Sequence, residues 1–333
     1  MLLCGSSDTG SRSLRLYRIS HEDMHVLRPT RYLSVFAFLL VLLSEFSDVA
    51  VANDESLSTR FSRLEQVERG SFTGDMTEKK REDLIIFTYE RLFPYDSSRI
   101  PGMSTEDIQA SFKAAYLASF YGIKRKDIQQ LEAYFTALDA RNALRAKDFA
   151  NLHAVYIEAR MFTEANEIRA EHPELNLEEA PRLVNRTGRV DGRPSKLALA
   201  DDNSSMLYET VDLRGKKLVV VGHPLCHFSA DAIKEISHRD DLAQRFKNAI
   251  WIAPPSMRLN VAQMRSWSRT YPASPIAYVD KREDWPMFDA WATPTFYFLT
   301  DGKVVAKVQG WPPQGGEAAL DKAFEAWNAS KGR

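Results

Sequence analysis

Apolar and polar positions along this chain follow two rhythms, and the change between them falls near residue 185. From Asn53 to about Pro181 apolar residues recur three and four apart, the spacing that lines one face of a helix. Leu84, Ile85, Ile86, Tyr89 and Leu92 make one such stripe behind Thr77, a residue type suited to capping a helix start. Ile108, Phe112, Ala115, Tyr116 and Phe120 make a second behind Ser104, with Glu106 and Asp107 where the helix dipole favours acids and Gly122 as the stop. A third helix is expected from Lys126 to Asn142, carrying Ile128, Leu131, Tyr134, Phe135 and Leu138. Phe149, Leu152, Val155, Tyr156 and Ala159, then Phe162, Ala165 and Ile168, continue the rhythm to Pro173.

A polar connector follows, and after it the period shortens. Leu197–Leu199 and Met206–Val211 flank Asp201-Asp202-Asn203-Ser204 and predict a hairpin. Lys216-Lys217 then opens onto Leu218-Val219-Val220-Val221, a β-branched run too short for a helix and apolar enough for a strand buried on both faces. Gly222, His223 and Pro224 break it, Cys226 follows, and Ala230, Ile233 and Ile236 resume helical spacing. Cys226 is therefore expected where a strand hands over to a helix N-terminus, whose free N–H groups and dipole favour a thiolate. Further strands are expected at Ala249–Ala253 and Ile276–Val279, a helix at Val261–Tyr271, and a closing hairpin from Phe296–Leu299 through Asp301-Gly302-Lys303 to Val304–Val308.

This divides the chain into residues 53–184, a helical domain; 185–196, a linker; and 197–333, an α/β domain. At 333 residues there is length for two cores. The tryptophans, six in all, sit at 251, 267, 285, 291, 311 and 327, all in the last third, as two separately built modules would give. Forty-four basic against 45 acidic residues leaves no single-sign excess, and no nucleic-acid partner is expected. Residues 1–52 read as a signal peptide: Arg28 and Arg31 precede the apolar run Tyr32–Leu43, and Ala50-Val51-Ala52 is an A-x-A cleavage pattern, with Met24 as an alternative start. That predicts a secreted or periplasmic protein with no membrane span left after processing. Cys4 would leave with the segment, so Cys226 would have no partner for an internal disulfide.

The buried strand, Cys226-His227-Phe228-Ser229 opening a helix, and Ala292-Thr293-Pro294-Thr295 leading into a strand together resemble the thioredoxin-like superfamily. Val211-Asp212-Leu213-Arg214-Gly215 before the strand is similar to the lead-in of the TlpA-like and peroxiredoxin-like branches, and the long interval from Cys226 to Pro294 fits their inserted strand–helix unit. The resemblance covers about residues 205 to 330. It implies an α/β domain with a central mixed sheet flanked by helices. The preceding all-α part reads as an irregular bundle or, from Leu152, Tyr156, Ala159, Phe162 and Ala165, as a degenerate tetratricopeptide-like (TPR-like) domain.

Carried over, Cys226 matches the attacking thiol, Pro294 the cis-proline, and Thr293 the residue whose backbone faces the substrate. Ser229 stands where the resolving cysteine belongs, as a helix cap or catalytic group; a hydroxyl cannot close the second disulfide, so turnover would need an external thiol. His223 and His227 are expected either to tune the thiol or to be plain turn residues, and Trp291, with Trp285 and Trp311, to line a peptide groove or to fill core. Val220 replaces a buried acid, Leu225 the usual aromatic, and His223 the threonine of the peroxidase pattern. Pro224–Ser229 also resembles the monothiol glutaredoxin loop, but His227 replaces its glycine. No metal or cofactor is expected. Two functions remain open: an exported thiol–disulfide exchange protein acting through Cys226 on other exported proteins' thiols or disulfides, or a non-catalytic scaffold recognising partners through its helical domain.

Overall fold

The computed structural model describes residues 55–72, 76–122, 125–185, 192–202, 204–255, 258–312 and 315–331. The proposed signal segment, Cys4 and Asn203 lie outside them.

Among the described residues six α-helices come first: α1 (Leu57–Gly70), α2 (Glu78–Leu92), α3 (Thr105–Ser119), α4 (Arg125–Asp139), α5 (Ala146–Glu158) and α6 (Phe162–Glu171). Side-chain oxygens start three of them: Ser56 accepts from the Thr59 N–H, Thr77 from Lys80 and Ser104 from Asp107. The stripes read from the sequence point inward, with Ile85, Ile108, Phe112, Leu131, Leu138 and Val155 all fully or almost fully buried.

The remainder is one eight-stranded mixed sheet: β1 (Arg182–Asn185), β2 (Ser195–Leu199), β3 (Ser205–Thr210), β4 (Lys216–Val221), β5 (Ile250–Ala253), β6 (Ile276–Val279), β7 (Thr295–Thr300) and β8 (Lys303–Gln309), in the order β1-β3-β2-β6-β5-β4-β7-β8. β4, β5 and β6 run parallel, while β7 lies antiparallel to β4 and β8 to β7. Helices α7 (His227–His238), α8 (Asp240–Phe246), α9 (Val261–Thr270) and α10 (Glu317–Ala329) complete it. A mixed sheet flanked by helices is the architecture the resemblance implied, and the helical region ahead of it is the one the apolar spacing predicted. Among the described residues no helix is long and apolar enough to cross a membrane.

Alternation along the central strands sorts their side chains into two cores. Leu218, Val220, Trp251, Ala253, Phe296 and Phe298 join one apolar cluster that also holds the helical core and the buried faces of α7 and α10. Val219, Val221, Ile252, Tyr297 and Leu299 point to the other face, which Trp285, Phe288 and Trp291 of the β6–β7 connection cover. Each of these aromatics buries a large apolar area.

The sequence reading did not single out β1, α1, α8 or α10, and it started β2 late. Arg182–Asn185, placed at the end of the helical part, is an edge strand paired parallel to β3. β2 begins at Ser195, inside the expected linker. Helices α8 and α10 extend the sheet's flank.

The two parts are also fastened by polar contacts. Arg160, in the left-handed region at φ 60°, donates to the Val279 carbonyl at 2.6 Å. Glu178 accepts from the Leu259 and Asn260 N–H groups at 2.9 and 2.7 Å.

Candidate functional site

Strand β4 delivers the chain to the site. Gly222 continues its pairing by donating to the Ile252 carbonyl at 2.9 Å, and a Cβ there would come into contact with the Trp251 ring at 3.4 Å. His223 and Pro224 turn the chain, and α7 starts at His227. Cys226 occupies the N-cap position, with extended backbone and no side-chain cap bond.

The thiol is buried, with Cys226 at 2 % exposure, yet the residue belongs to neither apolar cluster. Its Sγ donates to the Thr293 carbonyl at 3.2 Å. The Thr293–Pro294 peptide bond is cis. The structure therefore brings Cys226 to the adjacent pair Thr293 and Pro294, across 67 positions of sequence to Thr293. Leu225 beside them is exposed at 54 %, an apolar side chain presented to solvent at the edge of the thiol.

His223 is almost wholly buried, and burial pushes its imidazole down to about 4. Its Nδ1 faces the Leu225 N–H at 3.1 Å and accepts from it, which fixes a neutral ring with the proton on Nε2. At neutral pH this histidine lends Cys226 no positive charge. His227 is exposed and lies against Phe228, ring centroids 3.8 Å apart.

Ser229 does not cap the helix. The helix begins two residues earlier, and the fully buried Ser229 hydroxyl accepts from the His223 N–H at 3.3 Å, tying the turn to the first helical turn. The tryptophans near the proline loop are buried, and of the three only Trp311 also lines a surface cleft among the described residues, with Asp231, Lys234, Glu235, His238 and Pro312. Trp285 and Trp291 are buried in the second core, where Trp285 stacks on Phe288 at 5.2 Å and Trp291 meets its edge at 5.6 Å. Trp311 is buried in the first, 5.8 Å from Phe296.

Residues that sequence reasoning missed hold the proline loop. The Tyr297 hydroxyl accepts from the Ala290 N–H at 3.0 Å and faces the Ala290 carbonyl at 2.7 Å; the Thr295 hydroxyl donates to Ala292 O at 2.6 Å. Glu78, from α2, accepts from the Trp291 N–H at 2.9 Å. No local pattern marks Glu78; it is recognisable only once α2 is docked. Among the described residues no group of His, Cys, Asp and Glu gathers as metal ligands would.

No family model matches the chain, and no curated protein matches it. Among solved structures, a candidate thioredoxin from Neisseria meningitidis is 19 % identical, covers 43 % of this chain and 94 % of its own, and superposes with a TM-score of 0.30. A thioredoxin-like protein from Bacteroides caccae is 13 % identical over 73 % of this chain and 84 % of its own, with a TM-score of 0.28. Both likenesses are remote.

Proposed function

We propose that this chain is an exported thioredoxin-fold protein of the Cys-x-x-Ser kind that exchanges disulfides with other exported proteins through Cys226 alone. The observation that carries the reading is the meeting of the Cys226 sulfur, at a helix N-terminus, with the Thr293 carbonyl beside cis-Pro294. The helix end supplies positive potential to a developing thiolate. Leu225 offers an apolar contact for a bound peptide.

In the step proposed, the Cys226 thiolate attacks one sulfur of a partner disulfide, a new S–S bond forms, and the partner's other sulfur leaves as thiolate. An external thiol then attacks the mixed disulfide, releases Cys226, and a second such thiol completes the two-electron reduction of the partner. Ser229 takes no part in electron transfer and holds the turn.

Burial of Cys226 favours a second reading, a scaffold whose thiol is a small buried apolar residue. Iodoacetamide labelling of the folded chain against pH separates the two. Exchange predicts labelling that saturates below the ordinary cysteine value of about 8.5. No labelling in the folded state leaves the scaffold. Partner capture unchanged by Cys226→Ala would point the same way.

A further inference from the structure

The β6–β7 connection touches the helical half, the sheet and the cysteine. At its start, Arg160 of the helical half donates to Val279 O, and Arg282 reaches back to Glu82 at 2.8 Å and Glu78 at 3.5 Å. Near its end, the second oxygen of Glu78 accepts from the Trp291 N–H. Two residues on, the Thr293 carbonyl meets Cys226 Sγ. The other fastenings of this stretch come from the sheet: Tyr297 on Ala290, Thr295 on Ala292, and the Gly310 N–H donating to Pro294 O at 2.8 Å. Glu78 opens α2, and α2 is rooted in the helical core by Ile85 and Tyr89. A shift of α2 therefore moves the acceptor that holds Trp291.

We propose that Glu78 is a positioning residue through which the helical half sets the placement of the Thr293 carbonyl against Cys226. Its carboxylate is divided: Oε1 faces Arg282, and Oε2 holds the backbone of the proline loop. The Trp291 ring packs on Phe288, with the Arg282 guanidinium 5.8 Å from its centroid, so the ring keeps an anchor in the second core when the Glu78 bond is lost, and the loss loosens the residues after Trp291. Displacement of α2 is thereby felt at the thiol. The consequence for exchange rests on the function proposed above; the mechanical link does not.

The test uses the full chain and two readouts, backbone hydrogen exchange over residues 290–296 and the pH profile of Cys226 labelling. Glu78→Ala is expected to speed exchange of the Trp291 amide roughly ten- to a hundredfold, as loss of a charge-assisted bond should, and to shift the labelling profile. Glu78→Gln, which keeps an acceptor oxygen, restores both. Glu82→Gln breaks an Arg282 pair, leaves the Trp291 bond and behaves as wild type. Should the alanine variant fold poorly, Glu78→Asp withdraws the oxygen by one methylene and gives the same signature more weakly. Unchanged Trp291 exchange in a folded Glu78 variant overturns the link. Faster exchange with an unshifted labelling profile overturns its coupling to the thiol. If wild-type Cys226 never labels while Trp291 exchange responds as expected, the link stands and the exchange function falls.

Discussion

His223 should make the stability of this protein depend on pH in a way one substitution removes. Its imidazole is held near 4 by burial, against an ordinary value of 6.5. As pH falls through 6.5 the unfolded chain takes up a proton at this position, while the folded chain does so only near 4. Between those values the unfolded state binds more protons, so stability is full above 6.5, falls across the window and has lost the whole contribution below about 4. The gap corresponds to roughly 3 kcal/mol, a large fraction of a domain's net stability. His223→Asn removes the titration, and its side-chain oxygen can still accept the Leu225 N–H that Nδ1 accepts. Urea unfolding, followed by tryptophan fluorescence between about pH 7.5 and 4.5 at fixed ionic strength, gives the two stability curves. The difference between wild type and variant should close by about 2 to 3 kcal/mol across that range, the shared carboxylate titrations cancelling. A difference that stays constant with pH would show that folded His223 takes up its proton over the same range as the unfolded chain, and the depressed value assigned to it would be wrong.

Other substitutions test the remaining contacts. Glu178→Ala strips two charge-assisted bonds from the start of α9 and should cost about 2 to 4 kcal/mol in urea unfolding, with part regained by Glu178→Gln. Gly316→Ala would place a Cβ 2.7 Å from the buried Trp311 ring, so a loss of about 1 to 3 kcal/mol is expected from the same measurement. Leu225→Ala, at an exposed position, should leave stability within about 0.5 kcal/mol but slow mixed-disulfide formation with a peptide disulfide; equal rates would remove Leu225 from the peptide contact. Ser229→Cys forfeits the hydroxyl's bond to the His223 N–H, about 1 kcal/mol, but supplies an in-chain resolving thiol. It should turn over a disulfide substrate without added monothiol, as read by free-thiol release.

What the sequence made legible was local. Leu218–Val221 showed a two-faced strand because every residue is apolar and β-branched or nearly so, and the structure divides them alternately between two cores. Thr77 and Ser104 announced their helices because a capping hydroxyl acts within one turn. The α10 stripe of Leu320, Phe324 and Trp327 was equally legible, and it passed unread. Ser229 misled because capping rules look one turn ahead, whereas its hydroxyl bonds back to a turn that curls over it. For the tryptophans the sequence left groove and core equally open, because proximity to Pro294 says nothing about which way an indole faces; the structure puts them in the cores. Arg182–Asn185 has no signal of its own: four residues become a strand only when β3 offers an edge. The bond from Trp291 to Glu78 bridges 213 positions and depends on how two modules dock, which no window along the chain contains.

The short edge strand has a practical consequence for anyone who wants the α/β part by itself. β1 arrives from the helical side and pairs along β3 from Arg182↔Ser205 to Asn185↔Tyr208. A fragment cut at the apparent boundary would leave that side of β3 with unsatisfied amides and carbonyls, an invitation to recruit a strand from a neighbouring molecule. Such a fragment should self-associate in sedimentation experiments, whereas one begun before Ala180 should stay monodisperse.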